Sequence, residues 1–333
     1  MAAGPTSSVP PSSVPPSSPA RETGRRLPLR AVVTTGIVVT LDRPSTWVLA
    51  LAGFLAGGGI VVLAWPITVL PTITGVQNLL GATISTLAFG DPSPDVVRTA
   101  AVGGAAGVLL LAGGLVAGAW AERRGIELAL EGVADEGIGA RVRPGGKAGA
   151  PGTGSLAVLR LLALVPPAVA LALSLPVLYS VTYRELILPG NLATPLPLRV
   201  VAQVPLQLAA VVGAWLLADA AAAAGARRLV LERLRVPRAW ALGWADLVRR
   251  PHRILPVAVL GDLVLAVAAG PALAVSAVAW GRVRTSLELD PNSPVGIAAV
   301  ALWVAMWLGT VVLTGVGAAI RGALLTLEGV EAA

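Results

Sequence analysis

Six apolar stretches, each long enough to cross a lipid bilayer, leave this chain almost no choice of architecture. A helix needs about 20 mostly apolar residues to span roughly 30 Å of hydrocarbon, and segments at about 45–66, 97–120, 157–181, 199–223, 254–280 and 296–319 qualify. Charged residues make up only 13% of the 333 positions and the mean hydropathy is +0.79, which excludes an ordinary water-facing surface. The expected fold is an all-α polytopic membrane protein of six transmembrane helices. These form three helical hairpins with interfacial amphipathic helices over residues 28–330.

Basic residues are sorted to alternate connections. Arg21, Arg25, Arg26, Arg30 and Arg43 precede the first span, and Arg123, Arg124, Arg141, Arg143 and Lys147 follow the second. Arg227, Arg228, Arg233, Arg235, Arg238, Arg249, Arg250 and Arg253 follow the fourth, whereas Pro66 to Asp95 has no basic residue. Because cytoplasmic connections retain positive charge during insertion, both termini are expected in the cytoplasm, with the spans in a plasma (inner) membrane of prokaryotic type. The net charge of +7 then reads as affinity for anionic lipid headgroups, with no nucleic-acid partner implied.

Several chemistries are excluded or starved of residues. Cysteine is absent, which removes thiolate nucleophiles, thiolate metal sites and disulfides. His252 is the sole histidine and sits among Arg250, Pro251 and Arg253, a setting suited to a headgroup rather than to a metal or a general base. Lys147 in the glycine-rich string 143–156 is followed by Ala148, where a P-loop requires Ser or Thr. Residues 1–27, rich in Pro and Ser, read as a disordered tail and not as a cleavable signal. No catalysis, metal or cofactor is expected.

The even-numbered spans end alike. Arg124-Gly125 leads to Leu130-Glu131-Gly132, and Arg321-Gly322 leads at the same spacing to Leu327-Glu328-Gly329, with Arg227-Arg228 and Glu232 a looser version. Odd spans open alike too, through Leu41-Asp42-Arg43-Pro44 and Val248-Arg249-Arg250-Pro251. Three hairpins in parallel orientation follow, related by a pseudo-axis along the membrane normal. Before the fifth span, Trp240, Trp244, Leu247 and Val248 fall on one helical face. With Arg238, Arg249, Arg250, His252 and Arg253 around it, this piece is expected either to contact lipid headgroups or to pack on its own bundle. Ile73, Val76, Leu80, Ile84 and Leu87 form an uncharged stripe between the first two spans. No matching amphipathic helix is expected between the second and third spans.

Lipid gives helices no hydrophobic reason to associate, so small residues must allow close backbone approach. Gly103, Gly107, Gly114 and Gly118 offer such a face on the second span, to a neighbouring helix or to a second copy of the chain, and Gly53 and Gly57 a shorter one on the first. Pro166, Pro167, Pro176, Pro205, Pro256 and Pro271 are expected to kink or interrupt their helices.

Asp219 and Asp262 are the outlying charges, because a carboxylate inside a span is costly enough to invite a role. They lie eight positions before Arg227 and nine after Arg253, so both sit about 12–14 Å from a basic anchor at 1.5 Å per residue. If they face each other, one should hold its proton, since two like charges cannot both ionise cheaply in low dielectric. Three readings stand: a structural role, a transporter site with Gln203 and Gln207 as polar lining, and an intramembrane aspartyl protease. The protease pattern fails because Ala218 stands where that family has Tyr before its first aspartate, and Val259 replaces the first Gly of its Gly-x-Gly-Asp.

The arginine-ended hairpins and the amphipathic helix leading through Arg-Pro into a new span resemble the six-span membrane domain beside some bacterial glycerophosphodiester phosphodiesterases, and related uncharacterised bacterial membrane proteins. The resemblance implies topology and a link to lipids. It brings no activity, since that family's catalytic residues belong to a soluble domain with no counterpart here. The reading is therefore a non-catalytic protein of membrane organisation or interaction, with membrane lipids and a protein partner or second copy as its contacts. The alternative is a small transporter or lipid-handling permease component using Asp219 and Asp262. The cysteine-free chain makes orientation directly measurable. Single cysteines at Ser8 and Ala332 are expected to react with an impermeant maleimide only after permeabilisation, and one at Ser293 in intact cells.

Overall fold

The computed structural model describes residues 29–67, 94–135, 152–188, 194, 196–290 and 293–332; the stripe at Ile73–Leu87 and the string around Lys147 lie outside them. It is 94% helical, without strands. The elements are α1 (Leu29–Leu41), α2 (Pro44–Phe54), α3 (Ile60–Ala64), α4 (Pro94–Asp135), α5 (Thr153–Ala163), α6 (Val165–Ile187), α7 (Leu196–Gln203), α8 (Pro205–Leu231), α9 (Val236–Arg249), α10 (Pro251–Leu289) and α11 (Pro294–Ala332). Six helical stretches are long and apolar enough to cross a membrane: Pro44–Ile67, Pro94–Gly132, Thr153–Ile187, Pro205–Leu231, Pro251–Glu288 and Pro294–Glu328. This is a multi-pass membrane protein. The hairpins pair α2 with α4, α6 with α8 and α10 with α11.

Each hairpin is introduced by a short helix: α1 before α2, α5 before α6 and α9 before α10. The middle one is the helix that seemed absent from the sequence. Its apolar residues continue into the third span, so α5 hides within 157–181, and only the break at Leu164 followed by Pro166 and Pro167 separates it from α6. Leu156, Leu159 and Ala163 face inward from it. Every short helix rests on an even span. α5 lies on α4, α9 on α8, and α1 on α11, so the N-terminal helix closes a ring against the last one.

The core sits at the end of the bundle that holds these short helices, here called the basic end. Ala218, Ala220, Ala221, Ala222, Ala223 and Ala226 of α8 are all buried there, because methyl side chains let neighbours approach from every side. One apolar cluster joins Val32, Leu247, Val257 and Leu324 to this alanine run, and a second joins Ala119, Leu156, Leu159, Leu229 and Ala239. Toward the opposite end the helices stand apart, and Val102, Leu109 and Leu110 of α4 are fully presented outward. The exception is a tryptophan stack, with Trp280 and Trp303 centroids 4.6 Å apart and Trp303 and Trp307 6.4 Å apart. Trp303 Nε1 donates to the Ser276 carbonyl and Trp307 Nε1 to the Leu63 carbonyl, tying α11 to the first span.

Glycine acts where helices touch. A Cβ on Gly243 of α9 would lie 2.2 Å from the Ala221 carbonyl oxygen of α8, and one on Gly114 would lie 2.5 Å from that of Ala56. The expected stripe on α4 is thus half used. Gly114 and Gly118 meet the first span, whereas a Cβ on Gly103 or Gly107 would meet nothing within 4 Å. The first span itself breaks, since Gly58 adopts φ 96° inside a π-helical turn at Leu55–Gly59, a conformation open to glycine alone without strain. Of the prolines, Pro166, Pro167 and Pro205 start helices after breaks, while Pro176, Pro256 and Pro271 lie inside continuous ones. Gly243→Leu should cost about 1–3 kcal/mol by forcing α9 off α8, read as a lower melting temperature of the detergent-purified protein, and Gly103→Leu should leave that temperature unchanged.

Candidate functional site

Three acids and three arginines from five helices meet at the basic end. Arg160 of α5 forks onto Glu122 of α4, with Nε donating at 2.7 Å and Nη2 at 2.5 Å. Its third arm, Nη1, reaches Asp219 Oδ1 of α8 at 2.7 Å. From α11, Arg321 Nη2 donates to the other oxygen of Asp219, and its Nε donates to Asp262 Oδ1 of α10 at 2.6 Å. Arg227 of α8 completes the set, its Nη1 donating to Glu122 at 3.3 Å and to the Ala223 carbonyl at 2.8 Å. Charges alternate along the chain Arg227, Glu122, Arg160, Asp219, Arg321, Asp262, and they sum to zero.

Helical spacing explains the assembly. Glu122 and Arg321 fall just beyond the apolar segments that end near 120 and 319, while Arg160 and Asp219 fall just inside theirs. Asp262 lies deeper, nine positions after Arg253 on α10, and is reached there by Arg321. A half-buried ion pair gains little alone, but bidentate arginine forks within a closed network fix geometry as well as charge.

The carboxylates anticipated from the sequence are both present, but they do not form a facing acid pair. Arg321 bridges them. Arg160, Arg227, Arg321 and Glu122 complete the set. Arg160 is the single charge within the apolar run 153–182, which marks it as clearly as Asp219 is marked. Arg321 and Glu122 looked like ordinary interfacial charges at span ends.

Gln203 and Gln207 are not part of this site. Gln203 ends α7 at the opposite end, where its amide donates to Glu185 Oε1 and its Oε1 accepts from Arg184 Nη2 at 2.8 Å. Gln207 is twelve positions from Asp219 on α8, about 18 Å along the axis. The same region holds the buried pair Arg199 and Glu185 at 3.0 Å. An apolar cleft of about 500 Å³ between α10 and α11, lined by Trp303, Met306 and Arg282, shares no lining residue with the charged cluster.

The tryptophan face of α9 packs on the bundle. Trp244 lies against the first apolar cluster and Trp240 against the second, the two rings meeting edge to face at 5.7 Å. Arg238, Arg249 and His252 remain exposed around it, as a basic rim. Arg228 forks onto Asp246 at 2.6 and 3.0 Å, docking α9 on α8. Arg253 pairs with Glu328 at 3.2 Å, and Arg43 with Glu131 at 3.7 Å. Glu131 and Glu328 are the equivalent glutamates of the repeated Leu-Glu-Gly, so in the first and third hairpins an arginine beside the odd span holds the end of its even partner. Among the described residues no group of His, Cys, Asp or Glu is placed to hold a metal.

Compared with models of protein families, with curated proteins and with solved structures, the chain matches none. The cluster therefore has to be judged on its own geometry. Asp219→Asn leaves Arg160 and Arg321 adjacent without their shared counter-charge and should cost about 3 kcal/mol. Asp262→Asn, at a site 29% exposed with a single arginine, should cost about 1 kcal/mol. Melting temperatures in one detergent rank the two, and the combined Glu122→Gln, Arg160→Gln variant should be more stable than Glu122→Gln alone.

Proposed function

We propose that the protein is a non-catalytic component of the plasma membrane, with both termini in the cytoplasm, acting in membrane organisation or as the seat of a protein partner. The observation that carries this reading is the charge balance of the six-residue cluster. Every acid in it is already held by an arginine, each arginine reaches from one helix to another, and the result is a clasp rather than a vacancy for substrate. The basic rim of Arg238, Arg249 and His252 supports a surface held against anionic headgroups. The likeness to the membrane domain beside bacterial phosphodiesterases points the same way, toward lipid.

A transporter is the rival reading, and Asp262 is the feature in its favour. It is the most exposed acid of the cluster and has one arginine partner, so it is the carboxylate best able to exchange that partner for a cation. The two readings separate in a strain lacking the gene and complemented with Asp219→Asn or Asp262→Asn. Under the proposed function, complementation falls in proportion to the amount of protein in the membrane. Lost complementation at normal abundance would favour transport. Crosslinking in native membranes should also recover a protein partner whose yield follows bundle abundance.

A further inference from the structure

Behind the clasp, at the basic end, lies a second feature that the ion pairs do not use up. A cavity of about 40 Å³ opens between α8, α9, α10 and α11, floored by Ala220, Ala224 and Val257 and rimmed by Arg227, Arg228 and Arg250. A water-sized atom takes about 10–15 Å³ measured in this way, so the space admits about three oxygens. Two carboxylates, Asp246 and Glu328, also line it. Asp246 is occupied by both arms of Arg228, and Glu328 is engaged by Arg253.

The arginines left over point to an anion. Arg227 is only 4% exposed, yet its Nε has no hydrogen-bond partner, and a buried guanidinium donor left open is expensive. Arg250 forms no ion pair among the described residues and stands as the N-cap of α10, whose first turn carries no side-chain cap. In that first turn Pro251 has no N–H and the Arg253 and Ile254 amides already donate to the Arg250 carbonyl at 3.1 and 3.2 Å, so the helix start adds only the positive end of its dipole. Buried donor and unpaired guanidinium converge on a space the size of three oxygens.

We propose that this cavity binds a phosphate group through Arg227 Nε and Arg250. The group is either the headgroup of an anionic phospholipid or a free phosphate, and the site sits where headgroups meet the bundle. The inference does not depend on whether the bundle is a scaffold or a transporter, because it uses none of Asp219, Asp262 or Arg321.

The test takes the full-length protein in a maltoside detergent free of phosphate and follows its melting temperature against added inorganic phosphate, phosphatidic acid in mixed micelles, or sodium chloride at matched ionic strength. Stabilisation by inorganic phosphate above that by chloride assigns a free phosphate, and stabilisation by phosphatidic acid alone assigns the lipid. Arg250→Gln should weaken the effective ligand about tenfold, the loss of one charged hydrogen-bonding partner, and Arg235→Gln, at an exposed arginine outside the cavity lining, should leave binding unchanged. Ala224→Leu, which fills the cavity and removes no charge, should abolish the effect and provides the answer if Arg250→Gln does not fold. Equal responses to phosphate, phosphatidic acid and chloride would overturn the proposal. So would equal loss in Arg235→Gln and Arg250→Gln, which would mean surface charge alone.

Discussion

The carboxylate of Asp219, taken by Arg160 on one side and Arg321 on the other, is the contact on which the rest of the bundle depends. Helices in lipid lack the hydrophobic drive that gathers a soluble core, so something else must choose neighbours and depth. Here one acid on the central alanine-lined helix draws in α5 and α11, and Glu122 and Asp262 extend the chain to α4 and α10. A slip of one residue along any of these helices would rotate its charged group by about 100° and break the alternation. Glycine and alanine then allow the close approach that the charges have registered.

Much of this was legible in the amino-acid order. Apolar length gave the six spans, and the repeated Leu-Glu-Gly and Arg-Pro segments pointed to hairpins of one orientation. That Arg43 meets Glu131 and Arg253 meets Glu328 shows that those repeats mark equivalent joints. The short helix α5 was hidden because its residues are as apolar as the span it precedes, and periodicity cannot separate two helices that share one hydropathy. The charge partners were hidden for another reason. An arginine at a span end is usually solvated, and only the relative depth of separate helices, which is a three-dimensional quantity, tells a solvated arginine from a clasping one.

The glycine stripe of α4 makes a related point. Four glycines at helical spacing look equivalent in one dimension, yet Gly114 and Gly118 meet the first span while Gly103 and Gly107 meet nothing. The first span bends at Gly58, and its closeness to α4 is confined to the basic side of that bend. A small-residue pattern therefore states where contact is permitted, and the path of the partner helix decides where contact occurs.

The seat of α1 on α11 has a consequence for biogenesis. Gly36 lies against Leu324 and Leu327, so α1 finds its place only when α11 has been synthesised. Val39 meets Gly132 of α4 earlier, but until α11 arrives the face around Val32 lacks its native cover, and the nascent protein must wait with an exposed greasy flank beside the translocon. Loss of the final forty residues would leave that flank uncovered permanently, offering proteases and chaperones a simple sign of an unfinished chain.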